Sequence, residues 1–154
     1  MIDTSKSNSA EQQEAENFIA NAVEEWLGCL FERNTKVYLS DGVHIEPDMY
    51  SEKDKIICEI YAHIGKLKVG QQHKISQDIL KMLLLEKSKG VQFRKIIVVA
   101  DERVEKYLKG KSFIAESIRQ FDVEIKRIPL AREIHDSVSK AQMRQVMINS
   151  NFIE

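Results

Sequence analysis

Apolar side chains at Phe18, Ile19, Ala22, Val23, Trp26, Leu27 and Leu30 recur at three- and four-residue steps, which predicts an amphipathic helix from about residue 11 to the Gly28–Asn34 region. A short β-type run at Lys36–Leu39 is followed by the turn pair Asp41-Gly42 and by Val43-His44-Ile45-Glu46, which alternates as a strand should. Pro47 stops that strand, leaving Asp48 at its end. After the polar turn 49–54, Lys55–Ala62 is a nearly continuous apolar run, the pattern of a strand buried on both faces. Beyond Gly65 and Gly70 the period returns to helical over Gln71–Lys87, with Ile75, Ile79, Met82 and Leu83 as its core face and Gly90 as its stop. Lys95–Ala100 predicts a second buried strand, with Asp101 placed to cap a short helix over 102–109. A helix at Phe113–Gln120, a strand at Val123–Ile128 ended by Pro129, and a last helix over 131–147 complete the order. Strands in a meander followed by crossover helices predict an α/β fold, a mixed sheet flanked by helices in a single domain over 11–154, with the Ser-rich residues 1–10 as a flexible tail.

Composition narrows the class. At 154 residues, 43% hydrophobic and 31% charged, the chain has enough material for one core and is neither disordered nor fibrous. It has no apolar run approaching the roughly 18 residues of a membrane span. Its first residues lack the apolar core of a signal peptide and carry acidic side chains that a transit peptide avoids, so a cytoplasmic location is expected. Cys29 and Cys58 form no CxxC pair and read as reduced core thiols. The four histidines make no i,i+4 ligand pair, and neither a phosphate-binding Gly loop nor a GxSxG nucleophile is present.

A formal net charge of -1 hides a division. Residues 1–52 hold 3 basic and 11 acidic side chains, residues 53–111 hold 14 and 7, and the remainder balances at 6 of each. An acidic third beside a basic middle is compatible with a polyanionic partner met locally.

Within the apolar run, Glu59 is the anomaly, because a carboxylate in a buried strand is costly unless it is paired or binds a metal. If the strands on either side of the 49–54 turn form a hairpin, Asp48 comes close to Glu59 at one sheet edge. Two hard oxygen donors converging in this way suit Mg²⁺ or Mn²⁺.

Pro47-Asp48, a gap of ten residues, and Glu59-Ile60-Tyr61, set in a helix–three-strand–helix–strand order, resemble the PD-(D/E)XK nuclease superfamily, the restriction-endonuclease-like fold, over about residues 15–128. The resemblance implies a metal-dependent endonuclease acting on DNA, with Asp48, Glu59 and the Ile60 carbonyl as metal ligands. It also implies an acid from the first helix, Glu24 or Glu25, with Glu24 preferred. Tyr61 stands where the family carries its catalytic lysine, and a phenol is a poor substitute for an ammonium. On the following helix Gln71, Lys74, Asp78 and Lys81 share a stripe off the core face. Lys74 is therefore the expected displaced lysine, with Lys66 in the preceding loop as second choice. Tyr61, Lys68, Gln71, His73 and Lys81 are the expected nucleic-acid contacts. If no lysine reaches the metal, the same fold is an inactive nucleic-acid-binding or assembly subunit. Trp26 is expected in the core, and the apolar residues of the last helix form a surface on which a homodimer could be built.

Overall fold

The computed structural model describes residues 9–153. Helix α1 spans Ala10–Leu27, with the Ser9 hydroxyl accepting from the Gln12 amide at its start and Gly28 in the left-handed conformation at its end. Ser9 and Ala10, expected within the tail, belong to the start of this helix, and residues 1–8 lie outside the described residues. Strands follow at β1 (Glu32–Arg33), β2 (Val37–Ser40), β3 (Val43–Ile45), β4 (Met49–Ser51) and β5 (Ile56–Tyr61). The second half comprises α2 (Val69–Lys89), β6 (Arg94–Val99), α3 (Glu102–Leu108), α4 (Phe113–Gln120), β7 (Val123–Arg127) and α5 (Arg132–Ile153).

A five-stranded mixed sheet runs β1-β4-β5-β6-β7, antiparallel over β1, β4 and β5 and parallel over β5, β6 and β7. Strand β5 alternates Ile57, Glu59 and Tyr61 toward one side and Ile56, Cys58 and Ile60 toward the other. The first side packs against α2, α3 and α4 through Ile75, Ile79, Met82, Leu85, Val104, Ile114 and Ile118. On the other side lie α1 and α5, contributing Ala15, Ile19, Val23 and Val138. Covered on both faces, the central strands are apolar almost throughout, as parallel strands must be. Ile97, fully buried in β6, lies at the centre of this arrangement. Ile97→Ala is expected to cost about 3 kcal/mol in urea unfolding, the usual range for emptying such a site.

The expected strand order needs one correction. Val43–Ile45 does not lie beside β5; it folds back on β2 in a separate two-stranded ribbon. Asp41 and Gly42 both have positive φ, the geometry of a two-residue hairpin turn, so the ribbon closes locally. Pro47, without an N–H, ends it. The partner of β5 is β4, within the stretch expected to be only a turn.

One further expectation changes. Trp26 is 39% exposed, its ring flanked by the Arg94 guanidinium and the Lys126 ammonium instead of packing in the core. In α5, Val138 is buried, but Met143, Val146, Met147 and Ile148 are exposed. No helix among the described residues is long and apolar enough to cross a membrane.

Candidate functional site

The site is built where β4 begins and β5 passes through the core. Met49 pairs with Cys58 across the antiparallel ladder, so the preceding residue, Asp48, falls opposite Glu59. Asp48 is half-buried and accepts the Ile60 amide at Oδ2, 2.7 Å away. In an extended strand a residue's N–H and C=O project to the same edge, so the Ile60 carbonyl faces the Asp48 side as well.

Glu59 is 4% exposed and lies opposite Asp48 in the ladder. Burial first, then the charges of Asp48 and Asp78 and hydrogen bonding toward Asp48, push its pKa up to about 10, with Lys74 opposing. Glu59 therefore carries its proton at neutral pH while no cation is present.

From α2 come Lys74 and Asp78. Sequence spacing sets both on the helix's outer stripe, but Asp78 is 2% exposed, because it is turned in to accept the Tyr61 hydroxyl. The Lys74 ammonium lies 3.5 Å from Asp78 Oδ2 and 5.1 Å from the centre of the Tyr61 ring. Partial burial pulls the Lys74 pKa down, yet the carboxyls of Asp78, Asp48 and Glu59 together outweigh it and hold the ammonium above its ordinary value.

Helix α1 contributes Glu16, not Glu24. Glu16 lines a small cleft with Asp48, Ile60, Gln13, Asn17 and Arg33. Burial raises the Glu16 carboxyl, as does the charge of Asp48, against the effect of Lys74. A signal was present in the sequence: at i, i+4 and i+7 spacing, Glu16 shares a stripe with the buried Ala20 and Val23. Glu24 instead bonds Arg33 at 2.6 Å and accepts the Phe31 amide at 3.0 Å, fastening the end of α1 to the chain entering β1. Glu24→Ala is expected to lower stability by about 1–2 kcal/mol, the loss of a charge-assisted bond to a backbone amide. Thermal melting checks this. Glu25 is exposed.

Several expected nucleic-acid contacts are otherwise engaged. Tyr61 is buried, its hydroxyl given to Asp78, so it presents neither ring nor oxygen to a substrate. Gln71 accepts the Lys68 amide at the start of α2 and donates to His63 Nδ1, whose Nε2 reaches the Lys66 carbonyl. Burial lowers the His63 pKa, in keeping with a neutral ring held between those two partners. Lys66, Lys68 and His73 are exposed around the loop and first turns of α2, whereas Lys81 sits 3.6 Å from Asp78 Oδ1. The second-choice lysine, Lys66, has no contact with the carboxyl pair among the bonds and ion pairs of the described residues. Asp101 caps α3 through the Arg103 amide and binds the Gly65 amide, a structural use.

Compared with protein-family models, curated proteins and solved structures, the chain matched none.

Among the described residues no three His, Cys, Asp or Glu side chains are grouped so as to hold a metal ion. The donors that do converge are the two carboxyls of Asp48 and Glu59 and the strand carbonyl of Ile60. All are hard oxygens, and a cation that keeps several waters needs only one or two protein carboxylates. A buried acid that retains its proton beside a second carboxyl is the state a divalent cation would relieve, by replacing the shared proton. The residues present therefore fit Mg²⁺ or Mn²⁺.

Proposed function

We propose that the chain is a metal-dependent nuclease that hydrolyses phosphodiester bonds in DNA, a member of the PD-(D/E)XK superfamily in which the lysine comes from α2. The observation that carries this reading is the Asp48–Glu59 carboxyl pair across β4 and β5, with the Lys74 ammonium over the ring of Tyr61, the next residue on the same face of β5 as Glu59. Asp48, Glu59 and the Ile60 carbonyl would hold Mg²⁺ or Mn²⁺, which when bound supplies Lewis acidity at the phosphoryl oxygen and an acidified water.

The chain's own residues account for the rest. Lys74 donates hydrogen bonds to the attacking water and to a phosphate oxygen, orienting the first and offsetting charge on the second. Glu16, lining the cleft beside Asp48, limits where water can enter it. The water oxygen bonds to phosphorus as the ester P–O bond breaks; the water gives up one proton to solvent, and the departing oxygen takes one from solvent. Lys66, Lys68 and His73, exposed near the start of α2, meet neighbouring phosphates, a sequence-independent contact that weakens with salt. The exposed apolar residues of α5 support pairing with a second copy, which sedimentation at several concentrations would reveal.

The test is incubation of the purified protein with plasmid and single-stranded DNA in Mg²⁺ or Mn²⁺, alongside Asp48→Ala. Cleavage by the natural chain that disappears in the variant and in EDTA is the expected result. Equal cleavage by both sinks the reading. No cleavage, with DNA binding that falls as salt rises, makes the chain a nucleic-acid-binding subunit without chemistry.

A further inference from the structure

Tyr61 occupies the position from which the family resemblance expects an ammonium, and the neighbouring α2 supplies an ammonium from a different direction. What links the two is Asp78. This carboxylate is 2% exposed, although its helix position belongs to the polar stripe. One of its oxygens, Oδ2, accepts the Tyr61 hydroxyl and lies 3.5 Å from the Lys74 ammonium, while Oδ1 lies 3.6 Å from the Lys81 ammonium. A carboxylate is taken this far out of water only where its partners are fixed, because desolvation is repaid only by well-made bonds. Here the fixed partner is the phenol, whose ring is anchored in the β5 core. Lys74, more than half exposed, is long and free to swing; left alone it would spread over many rotamers. The ring beneath it and the carboxylate beside it select the rotamers that lie over the face of β5 that also carries Glu59.

We propose that Asp78 is a positioning residue: pinned by the Tyr61 hydroxyl, it holds the Lys74 ammonium over the Tyr61 ring and toward the Asp48–Glu59 pair, so that a tyrosine and an aspartate together replace the lysine missing from β5. The catalytic consequence rests on the nuclease reading above; the placement of Lys74 does not. Asp78 touches no substrate and acts through Lys74.

Two readouts test it. In protein with ¹³C-labelled lysine, the ring current of Tyr61 is expected to move the Lys74 ε-methylene signal upfield of the lysines that face no ring, Lys55 beside Phe93 and Lys126 beside Trp26 being set apart, and Asp78→Asn to return it to their range. In single-turnover cleavage, Asp78→Asn is expected to be about 10- to 100-fold slow, the effect of a misplaced catalytic group, with DNA affinity nearly unchanged and with Asp78→Asn/Lys74→Ala no slower than Lys74→Ala alone. An upfield signal that survives Asp78→Asn overturns the proposal, as does a double variant whose defects multiply. If Asp78→Asn does not fold, Tyr61→Phe keeps the ring and removes the pin. The Lys74 signal is then expected to shift partway downfield, and an unchanged signal is the overturning result. A natural chain that cuts nothing, but whose Lys74 signal collapses in Asp78→Asn, supports the positioning and defeats only the nuclease reading.

Discussion

Glu59→Gln is expected to abolish metal-dependent cleavage, by about 10³-fold or more as for loss of a group that stabilises transition-state charge, and at the same time to make the metal-free protein more stable. The second effect follows from the burial of Glu59 against Asp48. In the unfolded chain its carboxyl ionises near 4.5, whereas in the fold it holds its proton to about 10. The folded state therefore binds more protons across this interval, and stability falls as pH rises from about 4.5 to 10, being greatest below it. Glutamine is neutral at every pH and escapes this loss. At pH 8 in EDTA the variant should gain roughly 3 kcal/mol, within the 1.36 kcal/mol per pH unit that linkage allows, or about 6–10 °C in Tm for a chain of this size. Adding Mg²⁺ should restore the natural protein by about 2.7 kcal/mol at a hundredfold excess over Kd and leave Glu59→Gln unmoved. Melting curves across pH, with EDTA or Mg²⁺, check all three. If the variant is less stable than the natural chain at pH 8, the carboxyl is not destabilised as described. The pattern of a site group that weakens the fold until its ligand arrives is common where function constrains a core.

The second large effect is expected at Lys74. Lys74→Ala should lower the single-turnover cleavage rate by about 10²- to 10³-fold, the loss expected of one aligned charge donor. DNA should still bind, with the slope of log affinity against log salt reduced by no more than about one phosphate contact. Folding should be nearly unaffected, because the Lys74 side chain is 56% exposed and its ion pair with Asp78 is partly screened. Gel-shift titrations at several salt concentrations beside the cleavage assay measure both. A variant that cuts as fast as the natural protein would remove Lys74 from the chemistry. Loss of binding equal to the loss of rate would make it a docking residue only.

The two predictions meet at residues that the sequence presents unequally. Glu59 is conspicuous along the chain because a strand buried on both faces has no place for a carboxylate, and Asp48 follows from it through strand spacing. Lys74 could be named as a candidate because a helix beginning near residue 71 carries it past the end of β5. Asp78 lies on the same stripe by spacing, and nothing in the chain's period distinguishes it from a solvated helix acid. Its burial depends on Tyr61 standing opposite, a contact between residues 17 apart in sequence that only packing creates. Glu16 is hard to prefer over Glu24 for a similar reason. Both lie on α1, and the choice between them depends on which turn of the helix crosses the start of β4.

What the sequence determined by itself is what short-range physics decides. Period and capping residues placed five helices and the buried strands β5 and β6, and the Asp41-Gly42 turn closed the β2–β3 ribbon. Strand partnership was different. The three residues of β4 carry no period of their own, and they became the strand beside β5 because pairing across that edge satisfies backbone groups the core would otherwise strand. Tertiary structure alone decided that β4, and not the Val43–Ile45 run, sets Asp48 against Glu59, that Tyr61 turns its hydroxyl inward to Asp78, and that Trp26 lies at the surface beside two cations. Each of these depends on which side chains share a face across different elements, a relation that burial and pairing settle over long sequence separations and that local propensity does not encode.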